Sequence, residues 1–367
     1  MAPPNQNNRV QIDSLTSLRG VLAVWVVVYH FWQDVILLFP SVSFATPVAG
    51  NGNYAVPAFF ILSGIVLTRN YLPKFRDCDV RQIMYFLLMR LARIYPVHLI
   101  SLFAVLAMVV GARLLGLGLT DSGYGLADFI RNLFLVQSWV PRFELNWNYP
   151  SWSISSEWFA YIVFPFYCIL RNRNTRSNTG VNVFICFVSM LAVYLYGGEL
   201  PFREVVWVIP TFFLGCELNL WMEKPTPSDA YSGELWRWIP EFSLLGILLS
   251  PFLPKPWGVI SLLASLTILC GSLVFLKNKS FGYWRSAVFV TIGEVSYSLY
   301  MTHTLVQKIV NEVMPSERYV DSNQWMRFLV LLMYVFAVFA ATMLMYFVVE
   351  KPCRALAKRS ASVRSTT

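Results

Sequence analysis

Arg19 and His30 stand eleven residues apart inside one apolar segment, SLRGVLAVWVVVYHF. At about 100° per residue, that step returns a helix to within roughly 20° of its starting face, with about 16 Å between the two along the axis. Ionisable groups in a membrane span are costly and face a bundle interior or a wet cavity. A neutral imidazole can take a proton from a hydroxyl near neutral pH, and a guanidinium offers a planar fork to phosphate oxygens. Glu157, in PSWSISSEWFAY, and His303, in EVSYSLYMTH, are expected at a depth similar to that of His30. There a carboxylate could hold the tautomer of a catalytic histidine. Arg90 and Arg93, in FLLMRLARIYP, are three apart and share a helix face, and Arg69 ends the preceding span at the same level. With Arg19 these arginines form a cluster suited to a polyphosphate headgroup.

Several other residues carry a chemical and a plainer reading side by side. Ser63, in FFILSG, could be a nucleophile, but Ser63-Gly64 also reads as a small-residue contact that lets helices approach. Trp152 or Trp147 could stack on a sugar ring, and Tyr297 and Tyr300 read as seam-packing residues. Asn146, Asn148 and Tyr149 sit where an acceptor hydroxyl would arrive, whereas His98 reads as a packing histidine.

The elements that must position these groups are membrane helices. The 367 residues are 56% hydrophobic and 13% charged, with mean hydropathy +0.54, far below the roughly 25% charge of a soluble domain. The fold expected is an all-α polytopic bundle of ten spans, near 15–39, 53–70, 94–115, 150–170, 180–197, 202–221, 236–253, 258–276, 286–310 and 325–349. With both termini in the cytoplasm, the loops place 20 Lys and Arg inside against 8 outside, and Arg19 at the inner edge completes the 29. The net charge of +9 is therefore a topology signal, and no nucleic-acid partner is implied. The organisation expected is a cytoplasmic tail over 1–14, a transmembrane domain over 15–350 and a basic cytoplasmic tail over 351–367. The N-terminus lacks the pattern of a cleaved signal peptide, so the first span is expected to be retained. Six cysteines lie in spans or inner loops and imply no disulfide framework, and no metal-ligand spacing is present.

An inner anion site and an outer base joined by the first helix suggest transfer of a group from a phosphorylated carrier to an outward-facing hydroxyl, with water excluded by the bundle. The segments LRGVLAVWVVVYH, VPAFFILSG, RLARIYPVH, YPSWSISSEWFAYIVFP, IGEVSYSLYMTH and VVEKP, in that order, resemble the acyltransferase-3 family of integral membrane O-acyltransferases across nearly the whole chain. The resemblance implies an acyl-CoA co-substrate, usually acetyl-CoA, with no permanently bound cofactor. It implies a catalytic role for His30, and donor binding or active-site architecture for Arg19, Arg90 and Arg93. It resembles the stand-alone type, which acts on glycans or small molecules. The expected acceptor is a cell-surface polysaccharide or its lipid-linked precursor, and the expected address the plasma (inner) membrane. A small secondary metabolite or a lipid remains open as acceptor. So does a proton-coupled transporter that uses Arg19, His30 and Glu157 as a relay, or a non-catalytic scaffold.

Overall fold

The computed structural model describes residues 7–76, 79–116, 124–141, 147–174, 177–223, 234–276 and 280–364. They form helices α1 (Asn7–Leu38), α2 (Thr46–Ala49), α3 (Ala55–Tyr71), α4 (Val80–Leu114), α5 (Leu126–Leu133), α6 (Ser151–Arg173) and α7 (Thr179–Tyr196). These are followed by α8 (Arg203–Met222), α9 (Ile239–Leu249), α10 (Trp257–Leu276), α11 (Ala287–Val313), α12 (Gln324–Met345) and α13 (Lys351–Arg364). No strand occurs among the described residues, in line with the all-α expectation. Side-chain caps mark several starts: Asp79 Oδ1 accepts from Gln82 N at 2.9 Å, Asn178 Oδ1 from Gly180 N at 3.0 Å, and Asn323 Oδ1 from Met326 N at 2.9 Å. Each cap satisfies an amide that has no partner within its own helix.

Eight helical segments among the described residues are long and apolar enough to cross a bilayer, against the ten expected. The expected span at 236–253 yields only α9, whose 11 residues cover about 16 Å of the roughly 30 Å hydrocarbon core. The expected span at 286–310 yields α11, 27 residues and about 40 Å long, which has the length but is threaded with Ser, Thr and Tyr, His303, Gln307 and Lys308. α4 begins at Val80 instead of near 94, so Arg90 and Arg93 lie in the helix interior and not at its mouth.

Two close crossings fix the helices that bear the site. A Cβ on Gly293 would stand 1.9 Å from Thr16 O, and one on Gly20 would stand 2.7 Å from Gly293 N. A Cβ on Gly64 would meet Phe212 O at 2.1 Å, and one on Gly215 would meet Ile61 O at 2.1 Å. α1 with α11, and α3 with α8, therefore pack backbone to backbone, the approach that small residues permit where lipid offers no hydrophobic drive for association. Arg19 and Ser63 stand directly beside these glycines. Below them Phe75, Phe86, Phe164 and Phe212 form a buried aromatic chain, with successive centroids 5.4, 5.6 and 5.9 Å apart. α7 and α12 turn Phe184, Ile185, Phe336 and Phe339 outward, as lipid-facing helices do.

Candidate active site

Two cavities lie end to end in the bundle. The first is lined by Arg19 of α1, Ser63 of α3, Arg93 of α4, Glu157 and Tyr161 of α6, and Tyr297 of α11. The second is lined by His30 of α1, Tyr149 and Trp152 at the start of α6, and Arg203, Glu204 and Trp207 of α8. Val56 and Tyr300 line both and form the wall between them.

The Arg19 cavity is closely bonded. Ser63 Oγ and Tyr161 Oη, the latter at 2.6 Å, both donate to Glu157 Oε1. Tyr297 Oη donates to Ile94 O at 2.5 Å, tying α11 to α4 just before Pro96. The wall is latched as well: Tyr300 Oη lies 2.8 Å from Ser153 Oγ. Ser153 spends its single proton on Pro150 O at 3.0 Å, so the tyrosine is the donor to Ser153.

The His30 cavity is rimmed by rings. His30 meets Tyr29, Tyr149 and His303 at centroid separations of 5.0, 5.3 and 4.9 Å. Its backbone carbonyl accepts from Gln307 Nε2 at 2.6 Å, and the buried Asp34 one turn further on accepts from Ser316 Oγ at 2.9 Å. Across the cavity Arg203 forks onto Glu204 Oε1, with Nη2 at 2.7 Å and Nε at 2.9 Å, and covers Trp207. Burial lifts the Tyr149 hydroxyl above its usual range, reinforced by Tyr29 and opposed by Arg203, which keeps it protonated and able to donate.

Several expected residues converge and others do not. His30 and Trp152 line the second cavity, with the buried His303 ring packed against His30, and Arg19, Arg93, Ser63, Tyr297 and Glu157 line the first. Glu157 is therefore not the partner expected for His30. The dividing wall crosses α6 at Trp152 and Ser153, and Glu157 lies one helical turn beyond it. The arginine cluster is also divided. Arg90 Nη2 donates to Tyr71 Oη at 3.1 Å and its guanidinium covers the Tyr71 and Phe86 rings. Arg69 faces Glu223 at 3.9 Å, both partly exposed. A three-residue step leaves about 60° between Arg90 and Arg93, enough to send them to different neighbours. Ser63-Gly64 does make the small-residue crossing. Trp147 is buried and bonded through Nε1 to Gly125 O at 2.9 Å, away from either cavity. His98 Nε2 contacts Asn132 O at 2.8 Å, as a packing histidine would. Asn148 is buried, and Asn146 lies outside the described residues.

Three groups escaped the sequence. Tyr161 follows Glu157 by four residues, a helical spacing that puts both on one face. Arg203 counted only among the eight outer basic residues, and Glu204 carried no reading. Glu350, in a π-helical turn (Tyr346–Glu350), accepts from Ser298 Oγ at 2.6 Å and from Arg354 Nη1 at 3.1 Å, within electrostatic reach of Arg93. Its Glu-X3-Arg spacing inside VVEKPCR was the available signal.

The family model described as Acyltransferase domain (Acyl_transf_3) matches residues 12–347. The chain belongs to the acyltransferase-3 family. This family member is 28% identical to a Streptomyces mycarofaciens protein named Acyltransferase MdmB, over 95% of this chain and 93% of that one. It is 26% identical to YrhL of Bacillus subtilis (strain 168), which is named as a peptidoglycan O-acetyltransferase, over 96% of this chain and 56% of that one. It is 24% identical to SACOL0978 of Staphylococcus aureus (strain COL), named as an O-acetyltransferase, over 82% of this chain and 51% of that one. The acyltransferase thus spans about half the length of the two O-acetyltransferases. No solved structure matches. Family and apolar helices together make it an integral membrane acyltransferase.

Proposed function

We propose that this acyltransferase uses cytoplasmic acyl-CoA, acetyl-CoA in our reading, to esterify a hydroxyl of a cell-surface or exported polysaccharide or its lipid-linked precursor at the plasma (inner) membrane. The observation that carries this reading is the pair of cavities meeting at Tyr300 and Val56, one lined by the guanidinium groups of Arg19 and Arg93 and the other by the His30 imidazole, with the Arg203 guanidinium there bonded to Glu204. In the proposal Arg19 and Arg93 receive the anionic oxygens of the donor. Tyr149, Trp152 and Trp207 offer the aromatic faces and the hydroxyl that suit a sugar ring. As the acceptor oxygen bonds to the thioester carbonyl carbon, His30 takes the hydroxyl proton. The C–S bond then breaks and the imidazolium returns that proton to the departing thiolate, leaving ester and free CoA. Tyr300 keeps water from the thioester until the acceptor is in place. Glu157, bonded to Ser63 and Tyr161, shapes the donor side.

The test is free-thiol release from acetyl-CoA by the purified protein in lipid nanodiscs, with and without a glycan acceptor. Mass spectrometry of surface glycans from cells with and without the gene completes it. Acceptor-dependent thiol release with a gain of one acetyl unit per repeat is expected. Solute uptake without thioester consumption would instead establish transport.

A further inference from the structure

We propose that His303 is the positioning residue for His30, fixing its tautomer through an N–H···N hydrogen bond between the two imidazoles. His303 is fully buried, and its Nδ1 stands 3.2 Å from Leu299 O. A carbonyl oxygen only accepts, so Nδ1 carries the proton, and in the neutral ring Nε2 presents a lone pair. That Nε2 is buried with no hydrogen-bond partner. A buried acceptor left unpaired costs about 1–3 kcal/mol, so a donor is called for.

The surrounding groups narrow the choice. Tyr300, centroid 5.8 Å from His303, gives its hydroxyl proton to Ser153. On the remaining walls Tyr29 and Tyr149 stand against His30, and Arg203 and Glu204 are bonded to each other. Of the two rings against His303, that of His30, 4.9 Å away centroid to centroid and tilted by 51°, is the one with an N–H to offer. At that separation a ring rotation brings facing nitrogens into hydrogen-bond range. The bond leaves the other nitrogen of His30 unprotonated toward the cavity, as a general base requires. Gln307 ties α11 to α1 at the His30 carbonyl, and Ser316, in the turn after α11, bonds Asp34 of α1. His303 thus takes the orienting part that a carboxylate plays in a triad, without placing a charge in the bundle.

The chain has three histidines, so a 15N-histidine-labelled protein in nanodiscs gives three imidazole spin systems, with His98→Gln assigning one. A scalar coupling across N–H···N between His30 and His303 in the wild type, lost in His303→Leu, is expected. Its absence in folded wild-type protein overturns the proposal, whatever the reaction proves to be. The kinetic arm rests on the proposed acyl transfer. His303→Leu should lower kcat about 100-fold with the KM for acetyl-CoA held within about twofold. It should also move the acid limb of the pH–rate profile to lower pH, because the imidazolium of His30 loses its acceptor. His303→Gln, whose amide oxygen can accept, should restore both. Equal losses in the Leu and Gln variants with an unmoved profile, or full activity in His303→Leu, would overturn it. A wild-type protein without acyl transfer fails the functional reading alone, since the coupling is read independently.

Discussion

The two cavities share a wall but differ in how their polar groups are satisfied. On the Arg19 side Glu157 takes two hydroxyls, Tyr297 is tied to a carbonyl, and Tyr300 is latched to Ser153. On the His30 side the imidazole is met by rings, and His303 Nε2 has no partner. Saturated groups hold shape, because breaking any one strands a buried donor or acceptor. Unsaturated groups are free to take a proton or a ligand. Under the proposed acyl transfer, the difference gives rigidity to the donor side around Glu157 and proton chemistry to the histidine side.

Substitutions on each side should separate these roles. His30→Ala is expected to lower kcat about 1,000-fold, within the usual range for a general base, while acetyl-CoA binding measured by calorimetry stays unchanged. A matching loss of donor affinity would erase the distinction. Arg93→Ala should do the reverse, raising the KM for acetyl-CoA about 10- to 100-fold, the worth of a charge-assisted hydrogen bond, with a smaller change in kcat. At the wall, Tyr300→Phe removes the donor to Ser153, worth about 1 kcal/mol. Thiol release in the absence of acceptor should therefore rise about fivefold relative to transfer. The smallest effect belongs to Arg69→Ala: its long, partly exposed pairing with Glu223 predicts steady-state constants within about twofold of wild type. A large donor-binding defect there would restore Arg69 to the anion site.

What could be read from the chain followed from helical geometry. The eleven-residue step from Arg19 to His30 did place both along the face of α1 that meets α11, since an angle is set by residue count alone. The side of the wall on which Glu157 falls was not readable. Depth inferred from a span boundary is uncertain by about a turn, and one turn separates Ser153, at the wall, from Glu157. The i,i+4 step from Phe86 to Arg90 was readable in the chain, but the divergence of Arg90 from Arg93 was not, because Tyr71, which takes the Arg90 guanidinium, comes from α3 and only tertiary packing brings it there. The apolar run at 236–253 suggested a span, but Pro251 sits in a 3₁₀ turn (Ser250–Phe252) that ends α9. In α11 the polar side chains that keep it out of the apolar set include those that line the cavities.

The glycine crossing between α1 and α11, reinforced by Gln307, Asp34 and Ser316, makes the two histidine-bearing helices a single stiff unit. Under the proposed acyl transfer, breathing that admits a bulky acceptor falls to the opposite bank, where Tyr149, Trp152, Arg203 and Trp207 stand, so that reaction chemistry and acceptor choice would sit on separate parts of the molecule.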